Sequence, residues 1–146
     1  MVRSESGAEL IEFALTLPLL LLIVLGIIEF GLVFREYEII TNAAREGARV
    51  GILPAYTGTA PVQARVEEYL TTGGLDPLRW TVTPGVATPT PVGGLCISLR
   101  PVTVTYIHPV PFLGGIMSYF GSTFGQMTLT ARSSMRTEIA AGACPP

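Results

Sequence analysis

Hydrophobic side chains open this chain as a block. From Phe13 to Ile28 no ionisable side chain occurs, and with Glu29 admitted the apolar run continues through Phe30-Gly31-Leu32-Val33-Phe34 to Arg35. About twenty helical residues cross the hydrocarbon core of a bilayer, so the pattern predicts one membrane-spanning helix over 8–34. Leu19-Leu20-Leu21-Leu22-Ile23-Val24-Leu25 is apolar on every helical face. Burying all those faces in a soluble core would take more surrounding protein than this chain supplies. From Arg35 to Ile52 the helical pattern persists, which predicts an extension of the same helix over 35–52.

The remainder, 53–146, alternates between other periods. Leu53 to Ala60 reads as a turn with Pro54 and Gly58, and Thr59 stands as a cap before Pro61. Val62, Val66, Tyr69 and Leu70 then fall at helical spacing, an amphipathic helix ending at Gly73-Gly74 whose apolar stripe faces a core. Three strands are expected: Trp80 to Thr83, Cys96 to Ile107 and Met127 to Met135, with a Pro/Thr/Gly loop over Pro84 to Gly94. Pro101 argues for an edge or a bulge early in the second strand. The segment His108 to Gln126, with Pro109, Pro111, Phe112, Tyr119 and Phe124, is too long and too apolar for a tight turn. It either folds under the sheet as core or presents an apolar patch to a membrane surface or a neighbouring subunit. The expected fold is α+β: a long N-terminal transmembrane helix extending into a small domain, with one amphipathic helix packed on an antiparallel sheet of about three strands.

Composition narrows the function. The 146 residues carry a formal net charge of −2, and no basic patch or run of like charge supplies the phosphate contacts on which nucleic-acid binding depends. No enzyme is expected. His108 is the sole histidine and has no cysteine or carboxylate at metal-ligand spacing. No nucleophile elbow, phosphate-cradling glycine loop or zinc-protease motif occurs, so neither cofactor nor metal is expected.

Topology rests on slighter signals. A cleaved secretory signal would also place an apolar run near an N-terminal Arg. Against it stand Glu5, Glu9 and Glu12 beside Arg3, the length of the run, and the absence of a small-x-small site after it, where Glu29-Phe30-Gly31 intervenes. Arg3 favours an N-terminus inside and the C-terminal domain outside, a single pass through the cytoplasmic membrane. Cys96 and Cys144 both fall on the outer side, where an oxidising compartment favours a disulfide between them; two free thiols would accompany the opposite orientation. Within the span, Pro18 removes a backbone donor and favours a kink, and Gly26 and Gly31 permit close approach of another helix.

Glu12 is the awkward residue, a carboxylate at the edge of an apolar run that calls for a positive partner or a proton. With Gly7 before Ala8, the arrangement resembles the type IV prepilins, which carry a short polar leader ending in Gly and a Glu at the fifth mature position. A cut after Gly7 would make 1–7 the leader, Ala8 the first residue and Glu12 the fifth, followed by Phe13 where the tight-adherence branch favours Tyr. The resemblance implies that a prepilin peptidase processes Gly7-Ala8 and that Glu12 meets the new ammonium of a neighbouring subunit. The plainer alternative leaves Glu12 solvated at headgroup level.

A second motif, Asn42-Ala43-Ala44-Arg45-Glu46-Gly47-Ala48-Arg49, follows the span. Together with Glu12-Phe13-Ala14-Leu15-Thr16-Leu17-Pro18 it resembles the TadE-like family of pilus-assembly proteins over about the first fifty residues. Weakly, the Met135-Arg136 pair near the end does so too. Physically, Ala44, Gly47, Ala48 and Gly51 form a small-residue face that lets a helix or sheet approach closely. Arg45 and Arg49 share a face one turn apart, either meeting a neighbour's carboxylates or solvated. The resemblance implies a minor pilin or assembly protein of a tight-adherence pilus, acting in filament assembly and adhesion. Its partners would be the membrane, the peptidase, other pilin or TadE-like subunits in a homo- or hetero-oligomer, and the assembly machinery. It would lie in the cytoplasmic membrane or be incorporated into an extracellular pilus. A contrasting reading is an uncleaved, membrane-anchored module whose outer domain binds envelope partners.

Overall fold

A computed structural model describes residues 6–53, 58–92, 95–119, 121 and 125–136. The chain divides into two compact units, one of residues 1–33 with 109–126, the other of residues 34–108 with 127–146. One helix, α1 (Ser6–Gly51), contributes to both and stays helical through Pro18.

The second unit is built on the later part of α1, a helix α2 (Ala60–Thr72) and an antiparallel sheet. The sheet holds β1 (Trp80–Pro84), β2 (Thr88–Val92), β3 (Leu95–Pro109) and β4 (Gln126–Arg136). β3 is their common partner: β1 pairs with Val102–Tyr106, β2 with Leu95–Leu99, and β4 pairs with it as well. Alternation along β3 turns Val102, Val104, Tyr106 and His108 inward. Leu129 and Ala131 are buried from β4, and Val62, Val66 and Leu70 from α2. Each of the buried Val and Leu side chains contributes about 1.5–3 kcal/mol by leaving water.

The α+β fold with one amphipathic helix and an antiparallel sheet stands, with four strands where about three were expected. The added strand, β2, lies in the stretch read as a Pro/Thr/Gly loop. Prolines are poor strand residues because they cannot donate. Pro89 and Pro91 alternate, however, and face Ser98 and Cys96, leaving donors at Thr88, Thr90 and Val92. Pro101 marks a bulge. Pro84 faces Val102 while Thr88 faces Leu99, so four steps on one side cover three on the other. The Gly85 N–H donates to the Pro101 carbonyl at 2.8 Å. A Cβ on Gly85 would stand 2.6 Å from Pro101 Cγ, so glycine is needed there.

α2 corrects two details. Thr59 precedes the helix without a side-chain cap; its carbonyl accepts from the Gln63 N–H instead. Tyr69, assigned to the core stripe, is exposed, one position round from buried Leu70. The helix does end at the glycine pair. Gly73 N–H returns to Tyr69 O and Leu75 N–H to Leu70 O, with Gly74 at φ +78°, a conformation that other residues adopt at a cost.

Residues 109–126 cluster with the early part of α1 and contain a helix α3 (Pro111–Tyr119). Pro111 suits its first position, where no N–H is needed. A hydrogen bond from Val110 N–H to Gly125 O, 3.0 Å, closes the excursion at its base. Cys144 lies outside the described residues, and the disulfide expected with Cys96 falls outside them too.

Candidate assembly helix and its polar clasps

In the first unit α1 is nearly bare. Its most apolar eighteen-residue window has a mean hydropathy of 2.7 and is 6% buried, so α1 contains one segment long and apolar enough to cross a membrane. Gly7, Ala8, Glu12 and Phe13 are all exposed, and among the described residues nothing lies within 4 Å of a Cβ built on Gly7, Gly26 or Gly31. Near Glu12 the Thr16 hydroxyl donates to the Glu12 and Phe13 carbonyls at 3.0 and 3.2 Å, a local bond that consumes no side-chain carboxylate.

Glu29 breaks this bareness. It is 3% exposed, and its Oε2 accepts the Phe112 N–H at 3.1 Å. Phe112 is the first residue of α3 that has an N–H to satisfy, since Pro111 has none. Two residues further on, Gly114 N–H donates to Val110 O at 3.1 Å. A carboxylate at a helix N-terminus gains from both the hydrogen bond and the helix dipole, which offsets part of the cost of withdrawing it from water.

Past Phe34 the same helix is packed tightly. Ala43, Ala44, Gly47, Ala48 and Gly51 are buried, alongside Ile40. A Cβ on Gly47 would stand 2.3 Å from Val66 Cγ2 and 3.3 Å from Val102 Cγ1, so this position touches both α2 and β3. At Gly51 a Cβ would meet Arg100 Cδ at 3.0 Å and Val62 Cγ2 at 3.3 Å. The small-residue face thus seats the protein's own domain on α1.

Polar groups lock that seat. Arg100, 7% exposed, donates to Gly51 O at 2.9 Å, to Gly85 O at 3.2 Å, and to Gly58 O. One guanidinium therefore satisfies a carbonyl at the C-terminus of α1 and ties in two loops. Arg35 donates to Gly73 O at the end of α2, 3.0 Å away. Buried His108 lies with Nδ1 2.6 Å from Glu36 Oε2. Burial pushes the Tyr106 phenol above its ordinary value, and the Glu36 carboxylate adds to the rise.

The exposed side of the box forms a charge network. Arg49 grips Glu46 through two hydrogen bonds of 2.9 and 2.8 Å, and Arg65 of α2 reaches the same carboxylate at 3.1 and 3.2 Å and Glu68 at 2.9 Å. The Arg49 guanidinium, then Arg65, hold Glu46 down at about 2 against an opposing effect of burial. These groups border an open depression of about 550 Å³ together with Leu53 and Pro61. Arg45 and Arg49 point to different uses: Arg45 is exposed beside Tyr37, Glu38 and Asn42, whereas Arg49 is held within its own helix by Glu46. Among the described residues no group of three or more His, Cys, Asp or Glu could hold a metal ion.

Sequence reasoning missed Glu29, Glu36 and Arg100 as clasps. The signal was present at Glu29 and Arg100, each an ionisable residue interrupting an apolar pattern; their partners are backbone groups distant in sequence and carry no side-chain signature.

The family model described as TadE-like protein matches residues 7–49. The match spans the exposed part of α1 and stops at Arg49 of the small-residue box. Comparison with curated proteins gives no match, and comparison with solved structures gives none.

Proposed function

We propose that this chain, TadE-like over residues 7–49, is a Tad pilus-associated membrane protein that acts as a minor pilin or pilus-assembly subunit. The observation that carries this reading is the division of α1. One part exposes apolar side chains over most of its surface, with Leu20 57% and Phe30 71% exposed, and the other is cemented to a folded domain. Such a helix carries its domain while leaving an apolar rod for lipid or for neighbouring subunits. Exposed Gly7, Ala8 and Glu12 support processing after Gly7 by a prepilin peptidase. The resulting ammonium on Ala8 would lie about one helical turn from Glu12, and pairing between neighbouring subunits would neutralise both charges in an apolar setting. The orientation is N-terminus inside and domain outside, with other pilin or TadE-like subunits and the assembly machinery as partners. No catalysis is assigned to the chain; the chemistry is done to it. Intact-mass measurement and N-terminal sequencing of the protein from peptidase-competent cells test the processing. An N-terminus at Ala8 is expected, and an intact Met1 would favour the uncleaved envelope module instead.

A further inference from the structure

Three features of 109–126 stand unexplained by a role in the domain fold. The stretch from Pro109 to Ala131 has no Asp, Glu, Lys, Arg or His. Its helix α3 buries Gly114, half-buries Leu113 and Ile116, and turns Phe112, Met117 and Tyr119 outward at 42, 44 and 91% exposure. And it is docked on α1 at Glu29, inside the apolar run and six residues before Arg35. At the helical rise those six residues place Glu29 about 9 Å inward of the first basic side chain. That is the depth to which an interfacial helix sinks its apolar face, roughly 5–10 Å below the headgroups.

We infer that α3 is a second membrane element, a short helix lying in the outer-leaflet interface of the bilayer with Phe112, Met117 and Tyr119 in contact with lipid. The occupant of its exposed face is lipid because that face continues the lipid-exposed surface of the span itself. Ile27, Ile28 and Phe30, at the level of Glu29, are 67, 45 and 71% exposed, and no ionisable side chain separates them from α3 within its unit except Glu29, whose carboxylate accepts the Phe112 N–H. In hydrocarbon that bond matters more than in water, since the first donor of α3 has no solvent to turn to. Glu29 is therefore the positioning residue that lets an irregular excursion enter the membrane boundary with its leading amide satisfied.

The inference rests on the membrane reading of α1, and one experiment separates the two. Trp80 is the single tryptophan, so the full chain with Trp80→Phe gives a silent background in lipid vesicles. Leu20→Trp reports on the span, Met117→Trp on α3, and Leu78→Trp, at a position 94% exposed, on water. Each is titrated with brominated lipid and with aqueous iodide. Expected is loss of emission to brominated lipid and protection from iodide for both Leu20→Trp and Met117→Trp, with lipids brominated near the glycerol acting best on Met117→Trp, and the reverse for Leu78→Trp. If Leu20→Trp is lipid-quenched while Met117→Trp is quenched by iodide like Leu78→Trp, the interfacial helix is overturned and the span survives. Protection of Met117→Trp from both quenchers overturns it in favour of a protein-covered face. Failure of Leu20→Trp to respond to lipid removes the membrane reading itself. Tyr119→Trp repeats the α3 measurement at a second outward position should Met117→Trp lower the folded yield.

Discussion

The two stretches of α1 are made of one continuous helix yet solve opposite problems. Through Val33 the side chains are mostly large and apolar, and the glycines at 26 and 31 meet nothing among the described residues. From Phe34 onward the buried face is mostly Ala and Gly beside Ile40, and each glycine there is pressed against another element. Large side chains on an exposed helix need an external apolar medium; small ones on a buried face bring backbones together and use van der Waals contact within the fold. A glycine's neighbourhood therefore distinguishes an anchor from a seat, although both are helix and both are glycine.

The sharpest break of this contrast is steric. Gly47→Leu drives a side chain into Val66 and Val102 and is expected to destabilise the domain by about 3 kcal/mol or more, read as a lower denaturant midpoint for the full chain in detergent. Gly26→Leu and Gly31→Leu should leave that midpoint within about 0.5 kcal/mol. If all three behave alike, the division of the helix is wrong.

Next in size is the Arg100 clasp. Arg100→Met preserves much of the apolar stem but strands the carbonyls of Gly51, Gly58 and Gly85, an expected loss of about 2–3 kcal/mol. The same unfolding measurement reads it, and a loss no larger than that of Arg132→Met, an exposed position on β4, would deny the clasp its role. In the first unit, Glu29→Ala removes the acceptor of the Phe112 amide. Faster hydrogen exchange at Phe112 is expected, equivalent to about 1–2 kcal/mol of lost protection, with exchange in β3 unchanged.

The smallest effect is a pH dependence. Glu46 is held at about 2 by Arg49 and Arg65, below its value in the unfolded chain. The unfolded state thus binds the proton more tightly, and the stabilisation is fully present above about pH 4.5 and lost as pH falls through about 2. Because Arg49 is 63% exposed, water screens the pair and about 1 kcal/mol is the expected size. Glu46→Gln should flatten that component of an acid titration of stability while leaving the plateau near neutral pH lower by the same amount.

The long apolar run made the exposed part of α1 legible from sequence, and the helical spacing of Val62, Val66 and Leu70 did the same for α2. Strong alternation over Val102, Val104 and Tyr106 gave β3 its inward face. β2 was hidden because propensity argues against Pro89 and Pro91, and only pairing with β3 shows that their missing donors fall at alternate positions. α3 was hidden by length, being nine residues with Gly114 and Gly115 in the middle and a cap, Glu29, supplied from far upstream. The small-residue box was visible as a close-approach face, but its occupants, Val66, Val102 and Arg100, follow from tertiary geometry that no local pattern encodes.

The central claim is that the exposed part of α1 is an assembly surface whose decisive charge at its entrance is Glu12. Its most direct test is the amount of Glu12→Ala protein recovered in sheared surface filaments and in membrane-extracted pilus-assembly complexes, relative to the unsubstituted chain at equal cellular level. The account expects Glu12→Ala to keep its domain fold, since Glu12 is exposed and belongs to the first unit, and to be lost from filaments and complexes. Unchanged recovery would contradict it.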